Sequence, residues 1–480
     1  MKILTRQNIG LVLGPLLFCI LFFLPDLTGL ADAPRAVLAV TLWTATWWIT
    51  EPIPIPATSF LPLLLLPLTG GTDEQTAAMA YGNPIVFMYM GGFIIALAIE
   101  KWNLHKRIAL TILSYIGTSS KQIILGVALA TAFLSMWISN AATALMMLPI
   151  ALALISEVEE RAFLDAKSFD NFAKGLLLTV AYSASIGGLA TIIGSVPNAV
   201  LAGVASTVLD QTITFANWFM FGFPITVILL FLMYIYITKF QFKVDPKNDN
   251  ISSTFAQDEL RKLGPVSKNE KYVGIVFLVT GILWMSSGFL PEVISGRLTD
   301  MTISMLGATT LFLVPSTKKN EKLLAWDDMK KLPWGLLVLF GGGMSLAAAF
   351  EDSKLTEWFG EVLSNLEVLP YFLVIVVLTV AVLAMTEVMS NTATSNMLVP
   401  IMVGLAMAIG VAPYGLMAAV ALAASCAFML PIATPPNAAV FSSDHLTINT
   451  MIKSGFWMNV FSVIVIVLAV YFLQPILLNF

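Results

Sequence analysis

Long apolar runs alternate with short polar segments along the whole chain. Residues 211–238, 272–291 and 454–480 carry no Asp, Glu, Lys, Arg or His. A bilayer core about 30 Å thick takes roughly 20 helical residues to cross, so each run is a span by length alone. Residues 9–25, 37–50, 54–69, 84–99, 301–315 and 333–350 are shorter candidates, closed by charges, Pro or Gly. No segment alternates as a barrel strand does. The pattern predicts an all-α polytopic membrane protein. The Lys2–Arg6 start before apolar residues 8–25 resembles a signal peptide. No small-residue cleavage site follows, so it reads as a retained first helix.

Two uncharged runs are too long for one helix: residues 122–156 and residues 388–443. At the centre of the first stands Ser139-Asn140-Ala141. One continuous helix would bury Ser-Asn at mid-bilayer without a partner, which costs several kcal/mol. Two helices of about 16 residues meeting at Ser139-Asn140 form a re-entrant hairpin instead. The plainer alternative is two short spans joined by a polar loop.

Lys and Arg distribution sets the orientation. The segments 101–107, 157–174, 239–271 and 316–331 carry the basic residues, whereas 70–83 and 351–369 are mostly acidic. With the N-terminus inside, all four basic segments fall on the cytoplasmic side only if 122–156 enters and leaves from the same face. The charge pattern therefore supports the hairpin independently.

The chain also repeats itself. SNAATALMMLP (139–149) and SNTATSNMLVP (390–400) lie 251 residues apart and share six of eleven positions. The same offset carries Gly91-Gly92 onto Gly342-Gly343, Glu100 onto Glu351 and Leu104 onto Leu355. Downstream, Gly194-Ser195-Val196-Pro197-Asn198 echoes Ala433-Thr434-Pro435-Pro436-Asn437 at an offset of 239. Duplicated halves with polar, Gly/Pro-broken helices at matching places point to a transporter site. The orientation makes the repeats inverted, with both Ser-Asn tips near the midplane.

Composition narrows the function. Charged residues are 11% of the chain, and net charge is −4. A soluble surface needs more charge, and nucleic acid asks for a basic stripe. Two cysteines, Cys19 and Cys426, and two histidines, His105 and His445, make a zinc cluster or a Ser/His hydrolase improbable. Glu387 is the one acid deep in an apolar run. Its repeat partner is Met136, so we read it as structurally partnered, with proton coupling as the alternative. Trp47, Trp48 and Trp102 read as interfacial anchors.

A broken helix exposes N–H groups at one half-helix start and carbonyls at the other half-helix end. The first favour anions and the second cations. Asn, Ser and Thr offer oxygens to either. Two such tips facing each other suit an anion with a carboxylate at each end and an alkali cation beside each tip. No Lys or Arg lies in the central runs, so bound Na⁺ would supply the neutralising charge. The alternative is that these polar residues are helix-packing glue.

The signatures ISNAATALMMLP and MSNTATSNMLVP, with IGGLATIIGSVPN and LPIATPPNAAVF after them, resemble the divalent anion:sodium symporter family. The resemblance runs from WWITEPIPIPATS through GGFIIALAIEKWNLHKRIAL to the C-terminal GFWMN. It implies a homodimer with about eleven transmembrane helices and two re-entrant hairpins in an inverted repeat. In that family a transport domain moves like an elevator against a scaffold. The implied division is scaffold 1–108, transport domain 109–238, cytoplasmic linker 239–271, scaffold 272–369 and transport domain 370–480. Carried over, the first sodium site comprises Ser135, Ser139, Asn140 and the Gly188 carbonyl. The second comprises Thr386, Asn391 and the Met389 and Ala433 carbonyls. Substrate carboxylates meet Asn140 at one tip and Asn391-Thr392 at the other, near Thr434 and Pro435. The chain departs at Ala141, where the family signature has Thr, which removes a hydroxyl from the first substrate contact.

The reading is sodium-driven uptake of succinate, malate or fumarate across a bacterial-type inner membrane. Sodium-independent dicarboxylate exchange, or citrate or sulfate symport, is the alternative on the same fold. A membrane enzyme would need a nucleophile or metal cluster that the sequence does not offer. A channel would lack saturation and stoichiometric coupling.

Overall fold

Away from water, a backbone must satisfy its own N–H and C=O groups, and a helix does this within one segment. The computed structural model describes residues 5–24, 29–117, 119–160, 164–243, 255–287, 296–318, 320–363 and 369–478. Every regular element among them is helical, and the single β-bridge, Pro315 to Lys322, is isolated. Seven helices among the described residues are long and apolar enough to cross a membrane. Part of the expected linker (residues 244–254, with Lys247) and residues 364–368 of the acidic segment 351–369 lie outside the described residues.

The first half opens with α1 (Arg6–Phe23), α2 (Asp32–Thr50), α3 (Ile55–Thr58), α4 (Leu61–Thr69) and α5 (Glu74–Met79). The expected span 54–69 is therefore two helices. The first stops before Ser59, and Pro62 starts the second within its first turn. Next come α6 (Pro84–Lys101), the short amphipathic α7 (Leu104–Ile116), α8 (Ser120–Ser135), α9 (Asn140–Glu160), α10 (Ala166–Gly187), α11 (Val196–Val208) and α12 (Phe215–Ile235). The second half runs through α13 (Phe255–Leu263), α14 (Lys268–Ser287), α15 (Asp300–Leu313), α16 (Trp334–Asp352) and α17 (Leu355–Leu363). It closes with α18 (Tyr371–Thr386), α19 (Asn391–Ala408), α20 (Pro413–Ala424), α21 (Pro435–Phe441) and α22 (Ile448–Leu468).

The order from α6 to α11 returns from α16 to α21: long helix, short amphipathic arm, hairpin, broken helix. Both arms begin at the residues the repeat equates, Leu104 and Leu355. The division expected between 108 and 109 falls inside α7.

Two helices form the centre. Gly175–Gly187 of α10 and Tyr414–Ala424 of α20 are buried at every position. Apolar and small all round, they can only lie inside a bundle. The half-helices that follow their breaks cross over. The first, α11, packs on α19 and α20 of the second half, and α21 packs on α9 and α10 of the first. This interlock sets the two breaks side by side.

At the polar rim, α13 lies along α7. Lys106 meets Glu259 at 3.3 Å, and Arg107 meets Glu270 at 2.7 Å. Lys262, at 2.8 Å, holds the Glu259 carboxyl below its ordinary pKa, against the effect of partial burial. Of the expected tryptophan anchors, Trp48 lies in the core instead. Trp48 is 1% exposed, and its Nε1 donates to Ser59 Oγ at 3.1 Å. Trp47 and Trp102 donate to the Gly10 and Leu323 carbonyls. Each of the three indole N–H groups thus finds a protein partner.

Candidate functional site

Each hairpin breaks where Ser-Asn begins a new helix. The first arm stops at Ser135 and the second starts at Asn140; in the other half the limits are Thr386 and Asn391. Ser and Asn compete with a continuing helix by bonding nearby backbone, so they suit a restart better than an interior. Ser139 Oγ accepts from Ala142 N at 3.4 Å, and the Ser390 carbonyl accepts from Thr394 N at 2.9 Å.

The two tips have the same polar corner. Ser135 Oγ lies 2.7 Å from Asn140 Oδ1 and 2.6 Å from the Ala184 carbonyl. Thr386 Oγ1 lies 2.8 Å from Asn391 Oδ1 and 2.8 Å from the Ala424 carbonyl. A hydroxyl has one proton, so it cannot serve both oxygens. At the second corner the oxygen acceptors outnumber the donors, which is the chemistry of a cation seat. At the first corner a turned-over Asn140 amide would place its nitrogen 2.7 Å from Ser135 Oγ, 3.0 Å from Ala184 O and 3.1 Å from Gly194 O. Three oxygens, one hydroxyl and two carbonyls, therefore gather around that amide end. All are neutral, and among the described residues no group of three or more His, Cys, Asp or Glu gathers anywhere.

Beside the tips run the two unwound segments, 188–195 and 425–434. Ser195 Oγ and Ser425 Oγ are 2.8 Å apart, so the segments touch. Val196-Pro197 and Pro435-Pro436 start the next half-helices, where Pro loses nothing by lacking an N–H. Thr434 Oγ1 accepts from Asn437 N at 3.3 Å and is buried, whereas Pro435 is exposed. Asn140, Ala141, Asn391 and Thr392 are all half-buried.

Glu387 has a structural partner set. Its carboxylate accepts from Phe428 N (2.9 Å), Met429 N (3.0 Å), Leu430 N (3.1 Å) and Asn459 Nδ2 (2.7 Å). A side chain thus satisfies the amides of an unwound loop, as an anion does in a backbone nest. In the first half Thr191 does a comparable task, its hydroxyl joining the Met136 carbonyl (2.5 Å) and Gly194 N (2.9 Å).

The structure brings Ser135, Ser139 and Asn140 together, and likewise Thr386, Met389 and Asn391. Gly188 packs against Asn140: an added Cβ would sit 2.4 Å from Asn140 Oδ1. Its carbonyl accepts from Asn198 Nδ2 at 3.0 Å, and the carbonyl at the Asn140 amide belongs to Gly194. The sequence carried the signal for Gly194, since the 239-residue offset maps Ala433 onto it. The Ala184 and Ala424 carbonyls carried none, because any residue type presents a carbonyl.

Equivalent faces of the two hairpins differ in exposure. Leu145 is 61% exposed, but its repeat partner Asn396 is 2% exposed. Pro149 is exposed and Pro400 buried. Asn396 lies so close to Gly343 of α16 that any Cβ there would collide with its amide. Arm α17 likewise sits tightly on α19, at Thr356 and Gly404. On the first hairpin, a cavity of about 390 Å³ lined by His105, Ala109, Met146 and Ile150 separates arm α7 from α9.

Duplicated broken helices with matched oxygen corners define a membrane transport protein. The chain belongs to the family described as the sodium:sulfate symporter transmembrane region, whose model matches residues 5–479. The resemblance to divalent anion:sodium symporters thus holds, and the protein is a multi-pass plasma-membrane protein. It is 44% identical over 477 residues to a sodium-dependent dicarboxylate transporter, SdcS, of Staphylococcus saprophyticus, covering 98% of this chain and 92% of that one. SdcS of Staphylococcus aureus strain MRSA252 is 43% identical over 486 residues, covering 99% and 92%. The YdaH transporter of Alcanivorax borkumensis, described as having an unusual topology, matches in fold with a TM-score of 0.59 at 15% identity. That match covers 92% of this chain and 98% of the YdaH chain.

Proposed function

We propose that this protein carries C4-dicarboxylates such as succinate, malate and fumarate into the cell by symport with sodium. The observation that carries the reading is the pair of matched corners at Ser135–Asn140 and Thr386–Asn391, each gathering a tip asparagine amide, a hydroxyl and a backbone carbonyl. The names of the curated relatives support the same substrate and ion. One Na⁺ sits with Ser135, Ser139, Asn140 and the Gly188–Gly194 segment, taking the Gly194 carbonyl as well as that of Gly188. A second sits with Thr386, Met389, Asn391 and Ala433. The carboxylates contact Asn140 and Ala141 at one tip and Asn391, Thr392, Thr434 and Pro435 at the other. Half-helix N–H groups favour the anion, and the sodium ions neutralise it. The work is transport without catalysis.

The scaffold comprises 1–108 and 272–369, and the transport domain comprises 109–238 and 370–480, within a homodimer. Exposure of the Leu145–Pro149 face beside covered Asn396–Pro400 supports an inward-facing state. Radiolabelled succinate uptake into proteoliposomes under Na⁺, Li⁺ and K⁺ gradients tests the function, with malate, citrate and sulfate as competitors. Uptake driven by Na⁺ and competed by malate is expected. Equal counterflow with and without Na⁺ would make the protein an exchanger, and preferential competition by citrate or sulfate would change the substrate.

A further inference from the structure

Two asparagines outside the oxygen corners hold the same place in both halves. Asn198 and Asn437 are each the third residue of the half-helix after a break, and each is fully buried. Asn198 Nδ2 donates to the carbonyls of Gly188 (3.0 Å) and Thr191 (2.8 Å). Asn437 Nδ2 donates to the carbonyls of Ala427 (3.2 Å) and Leu430 (3.0 Å). All three pairs, 198 with 437, 188 with 427 and 191 with 430, obey the 239-residue offset.

The amide pins the start of a tight turn whose end faces the site. Gly194 N reaches back to Thr191 Oγ1 at 2.9 Å, and Ala433 N reaches back to the Leu430 carbonyl at 3.2 Å. Fixing residue 191 or 430 therefore fixes where the Gly194 or Ala433 carbonyl points. Both amides leave their Oδ1 buried without a partner. An unpaired buried oxygen costs free energy, and here it is tolerated at the same place twice. Core filling does not explain this, because a leucine of similar size would avoid the cost. Donation to two carbonyls does explain it.

We propose that Asn198 and Asn437 are the positioning residues of the two sodium sites, one in each half, acting through the Gly194 and Ala433 carbonyls. The inference rests on the sodium reading above. Removing the two donors leaves two carbonyls facing each other with no proton between them, and the turn relaxes. The carbonyl at its far end then leaves the cation seat, while the tip asparagines that meet substrate remain.

The test uses full-length protein with Asn198→Leu and Asn437→Leu, which keep the bulk without donors, and Asn198→Thr and Asn437→Thr, which retain one. Sodium activation of succinate uptake is measured in proteoliposomes, and sodium-dependent thermal stabilisation is measured on purified protein. The half-activating Na⁺ concentration is expected to rise about tenfold in each Leu variant, the equivalent of one lost bond of ordinary strength. The Thr variants fall between, and Vmax at saturating Na⁺ stays near wild type. If the Leu variants do not fold, the Thr variants carry the comparison. An unchanged sodium requirement, or a loss of Vmax alone, overturns the assignment. Sodium-independent uptake by the wild type would instead overturn the symport reading.

Discussion

Ser135 and Thr386 each set a hydroxyl between a tip asparagine amide and a backbone carbonyl, and that arrangement recurs at the same place in both halves. The tip residues Asn140 and Asn391 were legible as helix breaks, because a polar pair interrupts a long apolar run. Gly194 was legible only through the repeat offset, since a backbone carbonyl leaves no mark on residue type. Glu387 was visible as an anomaly, yet its partners lie 41 to 72 residues away in loop 428–430 and at Asn459. At this scale we predict that Glu387→Gln lowers thermal stability by about 1–3 kcal/mol, because an amide cannot accept from every donor now aimed at the carboxylate. Uptake by that variant should keep the wild-type pH profile. A shifted profile in the folded variant would make Glu387 a proton carrier.

Among the elements, the long spans and both hairpins followed from uncharged run length, and the breaks fell within a few residues of the Ser-Asn pairs. Arms α7 and α17 were not foreseen, because short amphipathic helices with charges look like polar connections. Their asymmetry was hidden too, since α13 braces α7 through contacts with residues roughly 150 positions distant. Beside that brace the Arg107–Glu270 pair ties α7 to the first turn of α14, with side chains only 13% and 7% exposed. Arg107→Met leaves the Glu270 carboxylate without its charged partner. Stability should fall by about 1–3 kcal/mol, softened because Glu270 also accepts from Ser267 N at 2.6 Å. Adding Glu270→Gln should recover part of the loss. Melting of the three variants in detergent measures this, and a double variant no better than Arg107→Met would show that the pair is not coupled.

Across the whole molecule, the repeat converts an observed contact into one expected in the opposite state. Gly343 and Asn396 touch here, and their partners 251 residues earlier are Gly92 and Leu145. With Cys19 and Cys426 replaced, paired cysteines at 343 and 396 should cross-link in the inward-facing state. A pair at 92 and 145 should cross-link when external sodium and substrate favour the other state. Each link should stop uptake until reduced. Failure of the 92/145 pair to form under any gradient would exclude an exchange of contacts between the halves. Glu387 sits on the hairpin that such an exchange displaces, and every contact it makes is one a negative charge accepts. An ionised Glu387 would travel with that hairpin even when the sites are empty. A full elementary charge crossing 100 mV is worth about 2.3 kcal/mol, scaled by the fraction of the field traversed. With the cell interior negative, the force on such a carboxylate is outward, so in an exchange of this kind the membrane potential would help return the unloaded hairpin to the side where sodium is abundant.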